Sequence, residues 1–182
     1  MPITSKQAEV LVQQLRVLLV EDNAFMRAIV RSLLGNIGVK RIIEAGDGIA
    51  ALEKIREETP DVVILDWEMP LLNGPELVRI VRSPGIFPTP DIPIIMLSAH
   101  GEHWRILESV KLGVNEFLCK PVSAKALFDR LVSILLSPRA SVQLGYYYGP
   151  LPRIPVREPE TDAPEPSCCW HIACGGTGRW FR

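Results

Sequence analysis

Acidic residues stand directly behind short apolar runs at several points of this 182-residue chain, and the chemistry starts there. Glu21 and Asp22 follow Val17–Val20, and Asp66 follows Val62–Leu65. Ser98 and Ala99 close the run 92–97, and Lys120 and Pro121 come after 116–118. If these runs are adjacent parallel strands, the residues meet at one rim, because ligands of an open parallel sheet gather beyond the carboxyl ends of its strands. Three carboxylates gathered there raise one another's proton affinity unless a cation lies among them. Magnesium suits such a site, since two carboxylates, a backbone carbonyl and waters make an all-oxygen octahedron. No cysteine or histidine stands in the rim core, which argues against zinc. A carboxylate in line with a phosphorus atom, with a metal and an ammonium group spreading the charge of the equatorial oxygens, can act as the nucleophile in phosphoryl transfer. Asp66 has the central position for that role. Lys120 supplies the ammonium, and the Ser98 hydroxyl can donate to a new phosphoryl group.

Each residue alone also has an ordinary reading. Asp22 behind a strand is commonly a cap or turn residue, Lys120 a solvated surface lysine, and Ser98 a partner for backbone groups. Cys119 reads as a packed strand-end residue.

The elements that must position these residues are legible in the hydrophobic pattern. Val17–Val20 and Val62–Leu65 are too short for helices and lack polar alternation, as expected of strands covered on both faces. Run 92–97 reads the same way, with Pro93 near its start where a missing donor is tolerable; 42–44 and 116–118 are weaker strands. After Asp22, taken as the capping residue, Phe25, Met26, Ile29, Val30, Leu33 and Leu34 recur at helical spacing until Gly35 and Gly38 stop the run. Further helices are expected over 47–58, 74–82, 102–112 and 123–136. Strands alternating with helices imply an α/β fold with a parallel sheet between helical layers.

This domain is expected to span 16–137. Residues 1–15 form an extension, either a short helix capped at Thr4 or Ser5 with a stripe of Val10, Leu11 and Leu15, or a frayed segment. Residues 138–182 hold seven of the 16 prolines and few aliphatic side chains, a composition that buries too little surface to offset the entropy of ordering, so this tail is expected to be largely disordered. Within it, Cys168, Cys169, His171 and Cys174 are candidates for a soft metal, but adjacent cysteines in so short a span fit no structural zinc pattern. Tyr146, Tyr147 and Tyr148 before Gly149–Pro150 could anchor a partner groove or the domain's own surface. The formal net charge of −1 creates no field that would draw nucleic acid or an anionic membrane. The tail shows neither a helix-turn-helix nor a basic stripe, so direct DNA binding is not expected. No apolar stretch reaches the ~18 to 20 residues needed to span a bilayer, and the start lacks the order of a secretory signal, which points to the cytoplasm.

Four segments, Leu19-Val20-Glu21-Asp22-Asn23, Asp66-Trp67-Glu68-Met69-Pro70 with Gly74, Leu97-Ser98-Ala99 and Phe117-Leu118-Cys119-Lys120-Pro121, together resemble the signatures of response-regulator receiver domains of two-component signalling. The likeness covers 16–136, in order and spacing. It implies a flavodoxin-like, doubly wound five-stranded sheet of order 2-1-3-4-5. It further implies that Asp66 is the phosphoacceptor, that Asp22, Asp66 and the backbone carbonyl of Glu68 hold Mg2+ directly, and that Glu21 acts through water. Ser98 and Lys120 resemble the pair that senses the phosphoryl group, with a Lys120-Pro121 bond that is often cis, and Phe117 resembles the switch aromatic. Without a hydroxyl, Phe117 can couple only sterically. Glu68 and His100 resemble the residues at two positions that tune phosphoryl lifetime in such domains.

The donor implied is a sensor histidine kinase or a histidine phosphotransfer protein. The output surface implied is the fourth helix, fifth strand and fifth helix of the alternating unit, around Trp104, Phe117 and 123–136. The aromatic-Gly-Pro segment is similar to one in receiver-only proteins of alphaproteobacteria, where basic residues usually follow. Leu151-Pro152-Arg153 departs from that, which leaves a shifted reading frame open. Three other functions compete: a phosphorelay intermediate passing phosphoryl to a histidine phosphotransferase, an aspartate-nucleophile phosphatase on a related sheet, and an unphosphorylated scaffold, which the presence of every expected chemical group disfavours. Paired Glu21-Asp22 and Lys120-Pro121 favour the receiver over the phosphatase.

Overall fold

The computed structural model describes residues 5–151. The tail cluster of Cys168, Cys169, His171 and Cys174 and the cap candidate Thr4 lie outside these residues.

Five strands, β1 (Arg16–Val20), β2 (Arg41–Ala45), β3 (Val62–Asp66), β4 (Ile94–Ser98) and β5 (Glu116–Cys119), pair in parallel in the order β2-β1-β3-β4-β5. Helices α1 (Ser5–Gln14), α2 (Ala24–Asn36), α3 (Gly48–Glu58), α4 (Gly74–Val81), α5 (His103–Leu112) and α6 (Ala124–Leu136) surround the sheet. The continuous apolar runs are buried throughout because they serve two cores at once. Leu18, Val63, Leu65, Ile94 and Met96 face Ala51 and Ile55 of α3 and Leu77, Val78 and Val81 of α4. Val17, Leu19, Ile64, Ile95 and Leu97 face Val30 and Leu34 of α2 and Leu127, Leu131 and Ile134 of α6. Each such side chain contributes about 1.5–3 kcal/mol by leaving water. This is the architecture the resemblance implied.

Several local expectations are corrected. The cap of α2 is Asn23, whose side chain accepts from the backbone N–H of Phe25 and Met26, so Asp22 is free for the rim. Gly35 does not stop that helix, which runs to Asn36 before Gly38 adopts a φ of +95°. Helix α1 forms, but its inward stripe is Ala8, Val12 and Leu15, while Val10 and Leu11 are exposed. Val12 and Leu15 join the core that holds α6, and this fixes the helix's rotation.

The largest correction concerns the domain end. Residues beyond 137 do not all form a structureless tail: β6 (Ser141–Leu144) and β7 (Tyr147–Pro150) pair as an antiparallel hairpin against the domain. The Tyr148 hydroxyl donates to Asp91 Oδ1 at 2.7 Å, and Arg139 reaches the carbonyls of Asn115 and Leu151. Tyr147 and Tyr148 therefore dock on the chain's own surface, with Tyr146 exposed at the turn. Composition argued for disorder because it counts only what a segment can bury by itself, whereas this hairpin is ordered by a surface already folded.

Candidate functional site

Register brings the strand tips together. Asp66 lies opposite Leu97, and Ser98 opposite Cys119. The ladder continues one residue past the strands, with Trp67 N–H donating to Leu97 O at 2.9 Å and Lys120 N–H to Ser98 O at 2.8 Å. These bonds hold Asp66 and Lys120 at the rim on rigid backbone. Behind Asp66 the loop 67–73 turns tightly into α4, where Asn73 and Glu76 form a reciprocal capping box. A Cβ on Gly74 would lie 2.5 Å from Asp66 O, so only glycine allows the helix to begin this close to the strand tip.

At the rim, Lys120 Nζ lies 2.7 Å from Glu21 Oε2 and 2.8 Å from Asp66 Oδ1. Ligand oxygens of Glu21, Asp22 and Asp66 fall within 4.8 Å of one another. Glu21 and Asp66 are buried and Asp22 is exposed. Burial raises the proton affinity of Glu21; the neighbouring Asp66 and Asp22 add to this, and the Lys120 hydrogen bond opposes it. Asp66 is raised for the same first reason, again against the pull of Lys120. Burial works against charge on Lys120, but its bonds to Asp66 and Glu21 outweigh that and raise its pKa. Three carboxylates thus gather at one ammonium, which bonds two of them, and the ligand atoms the cluster offers are all oxygens. That deficit of two positive charges and that donor chemistry fit a hard divalent cation such as Mg2+.

The other expected residues fall around this cluster. Ser98 is fully buried, and its hydroxyl both accepts from His100 N–H and donates to His100 O at 3.1 Å. The Lys120-Pro121 peptide is cis. Half-buried Phe117 stands edge-on to Trp67, with ring centroids 6.4 Å apart. Glu68 follows Trp67 in the loop, and its side chain pairs with Arg105.

Two arginines at the site have no counterpart in the sequence reading. Arg27 Nη1 donates to Glu21 O at 2.7 Å, bracing the backbone beneath the acids from one turn along α2. The Arg105 guanidinium lies over both the Trp67 and Trp104 rings. The helical pattern around Arg27 marked its face as polar and held no signal for the bond. For Arg105 the nearby Glu102 gave a local hint, whereas Glu68 lies far away in sequence.

Residues 17–132 match the response regulator receiver domain family. The chain belongs to it. This receiver is 35% identical over 122 residues to chemotaxis protein CheY1 of Helicobacter pylori, covering 66% of the present chain and 97% of that one. It is 32% identical over 125 residues to chemotaxis protein CheY-3 of Vibrio cholerae, covering 69% and 95%. Among solved structures, V. cholerae chemotaxis protein CheY4 superimposes with a TM-score of 0.57 at 31% identity, over 64% of this receiver and 95% of that chain. The receiver domain of a Pseudomonas aeruginosa sensor histidine kinase, solved with a magnesium ion coordinated in its active-site cleft, gives 0.57 at 27% identity, over 65% and 94%. Such a domain is the phosphoacceptor module of a two-component system, a signalling switch. No described helix is long and apolar enough to cross a membrane.

Proposed function

We propose that Asp66 accepts a phosphoryl group from a phosphohistidine on a sensor kinase or phosphotransfer protein, and that the modified receiver changes its affinity for a downstream protein. The observation that carries this is Lys120 Nζ shared between Asp66 and Glu21 inside a three-carboxylate cluster. An Asp66 carboxylate oxygen attacks phosphorus, the phosphorus–nitrogen bond breaks, and the departing imidazole leaves with the electron pair and takes up a proton. Asp22, Asp66 and the backbone carbonyl of Glu68 are the residues to hold Mg2+ directly, with Glu21 joined through water. The ion, when bound, supplies positive charge to the phosphoryl oxygens.

Lys120 then has a new anionic partner on Asp66. Ser98 must release His100 before it can donate to the phosphoryl group, and that exchange carries the loop ahead of α5 with it. Contacts made only in the modified state can shift the equilibrium between conformations. The readout face is α5, β5 and α6, where Trp104 is exposed and Phe117 leans on Trp67. Because Phe117 lacks a hydroxyl, its part in the switch is steric. This reading assigns a cytoplasmic switch with self-phosphotransfer and autodephosphorylation, without turnover of an external substrate, and without direct contact to nucleic acid or membrane.

The test is intact-mass measurement after incubation with acetyl phosphate and Mg2+. Wild type is expected to gain one phosphoryl group and D66N none. An equal gain in D66N, or steady turnover of a small phosphate ester, would refute the assignment.

A further inference from the structure

Glu68 contributes its backbone carbonyl to the proposed cation site, yet it also carries a carboxylate of its own. Among the described residues the acid cluster is Glu21, Asp22 and Asp66, and the Glu68 carboxylate is not part of it. Its Oε1 lies instead 2.9 Å from Arg105 Nη2, on the first turn of α5. Arg105 is held with unusual firmness. Its guanidinium carbon is 5.3 Å from the Trp67 ring centroid and 5.0 Å from that of Trp104, the two rings stand edge-on at 6.1 Å, and Glu102 Oε2 is 3.8 Å from Nε. The side chain is only 13% exposed, and buried Nε and Nη1 have no hydrogen-bond partner. Two ring faces and two carboxylates, rather than a fork of hydrogen-bond acceptors, compensate this cation. Nη2 is the arm that takes a full carboxylate contact.

We infer that Arg105 is a positioning residue that keeps the Glu68 carboxylate out of the cation site; this rests on the magnesium reading above. Glu68 is two residues from Asp66, and its side chain has three rotatable bonds. Released, it would bring a fourth negative charge to a rim that already holds three carboxylates against Lys120. A divalent ion would then be held more tightly, with a side-chain oxygen in place of water. The same carboxylate would occupy space beside Asp66 that an incoming phosphoryl group needs. Arg105 prevents both effects by neutralising Glu68 and by fixing where it lies. A purely packing role, in which the arginine only wedges α5 against Trp67, would make no use of the charge on Glu68.

The two accounts separate in a Mg2+ titration of the full chain at low ionic strength, followed by intrinsic tryptophan fluorescence, to which Trp67 beside the site contributes, and read from the midpoint. The midpoint is the proper readout because substitutions at Arg105 change the ring's surroundings and therefore the amplitude. R105Q is expected to bind Mg2+ about fivefold more tightly, the size of one charge acting on a divalent ion several ångströms away in a largely aqueous rim. R105Q/E68Q is expected to return to within about twofold of wild type, and R105K to stay there. If R105Q does not fold, R105M still covers the two rings and carries the same expectation. An unchanged midpoint in the folded single variant, or a double variant as tight as the single, overturns the inference while leaving the metal reading intact. A folded wild type with no response to Mg2+ defeats both.

Discussion

At the carboxyl end of the sheet, Lys120 is shared among acids that outnumber it; at the amino end, Arg82 is buried among neutral oxygens that satisfy it. Arg82 is 5% exposed, with Nε on Gly113 O at 2.9 Å, Nη2 on Asn115 Oδ1 at 3.0 Å and Nη1 on Pro90 O. Burial lowers its pKa to about 10, which leaves it charged at neutral pH. Its bonds tie the end of α4 to the segments entering β4 and β5, and the β6–β7 hairpin closes over the same region. Both ends bury a cation. The difference is that one has each guanidinium nitrogen bonded to a neutral oxygen, while the other keeps an excess of negative charge that a metal and a phosphoryl group can exploit. A satisfied buried charge rigidifies; an unbalanced one is available for chemistry.

The contrast can be broken most strongly at Arg82. R82M removes the donor and leaves the Gly113 and Pro90 carbonyls without their partner, while Asn115 Oδ1 keeps the Ile94 N–H, so the loss of unfolding free energy in urea is expected to be about 3 kcal/mol. Phosphoryl gain from acetyl phosphate should persist in the folded fraction. Loss of phosphorylation in a well-folded R82M would show that the two ends are coupled.

Gly113 tests the hairpin's seat. It has a φ of +85°, and a Cβ there would lie 2.8 Å from Tyr148 O. G113A is expected to cost about 2 kcal/mol, from the left-handed backbone and the displaced hairpin together. A cost near zero in urea unfolding would mean that the hairpin contributes little.

The smallest effect has the opposite sign. The proton affinity of Asp66 is raised by burial, so its ionised form weakens the metal-free fold. That penalty is complete above the folded-state pKa, is relieved as pH falls through it, and is gone below the ordinary carboxylate value. D66N should therefore melt higher than wild type at neutral pH in EDTA, with a difference that vanishes on acidification. A lower melting temperature for D66N at neutral pH would show that Lys120 more than compensates the burial.

Legibility in the sequence followed the range of the interactions. The β1, β3 and β4 runs were readable because burial on both faces leaves an uninterrupted apolar signature. The rim residues were readable because a parallel strand delivers the next residue to its carboxyl edge. Asn23 and Asp22 are adjacent and both cap-competent, so the cap became known only from backbone geometry. The rotation of α1 depended on where α6 packs, and Val10 and Leu11 are as apolar as the Val12 that is buried. The hairpin and Arg82 share one obstacle, that their partners are remote in sequence: the tyrosine run signalled an anchor without choosing its surface, and a lone arginine signalled nothing.

By itself the sequence determined the alternating α/β order and the identity of the acids, the serine and the lysine at the strand tips. These follow from local rules of strand length, side-chain polarity and position in the chain. Tertiary structure alone decided that Lys120 bridges Glu21 and Asp66, that Arg105 takes the Glu68 carboxylate beside two tryptophans, and that a hairpin closes over the amino end. Each of those depends on distances between segments that no pattern along the chain encodes, because side-chain contacts are set only when the packed elements leave one arrangement for them.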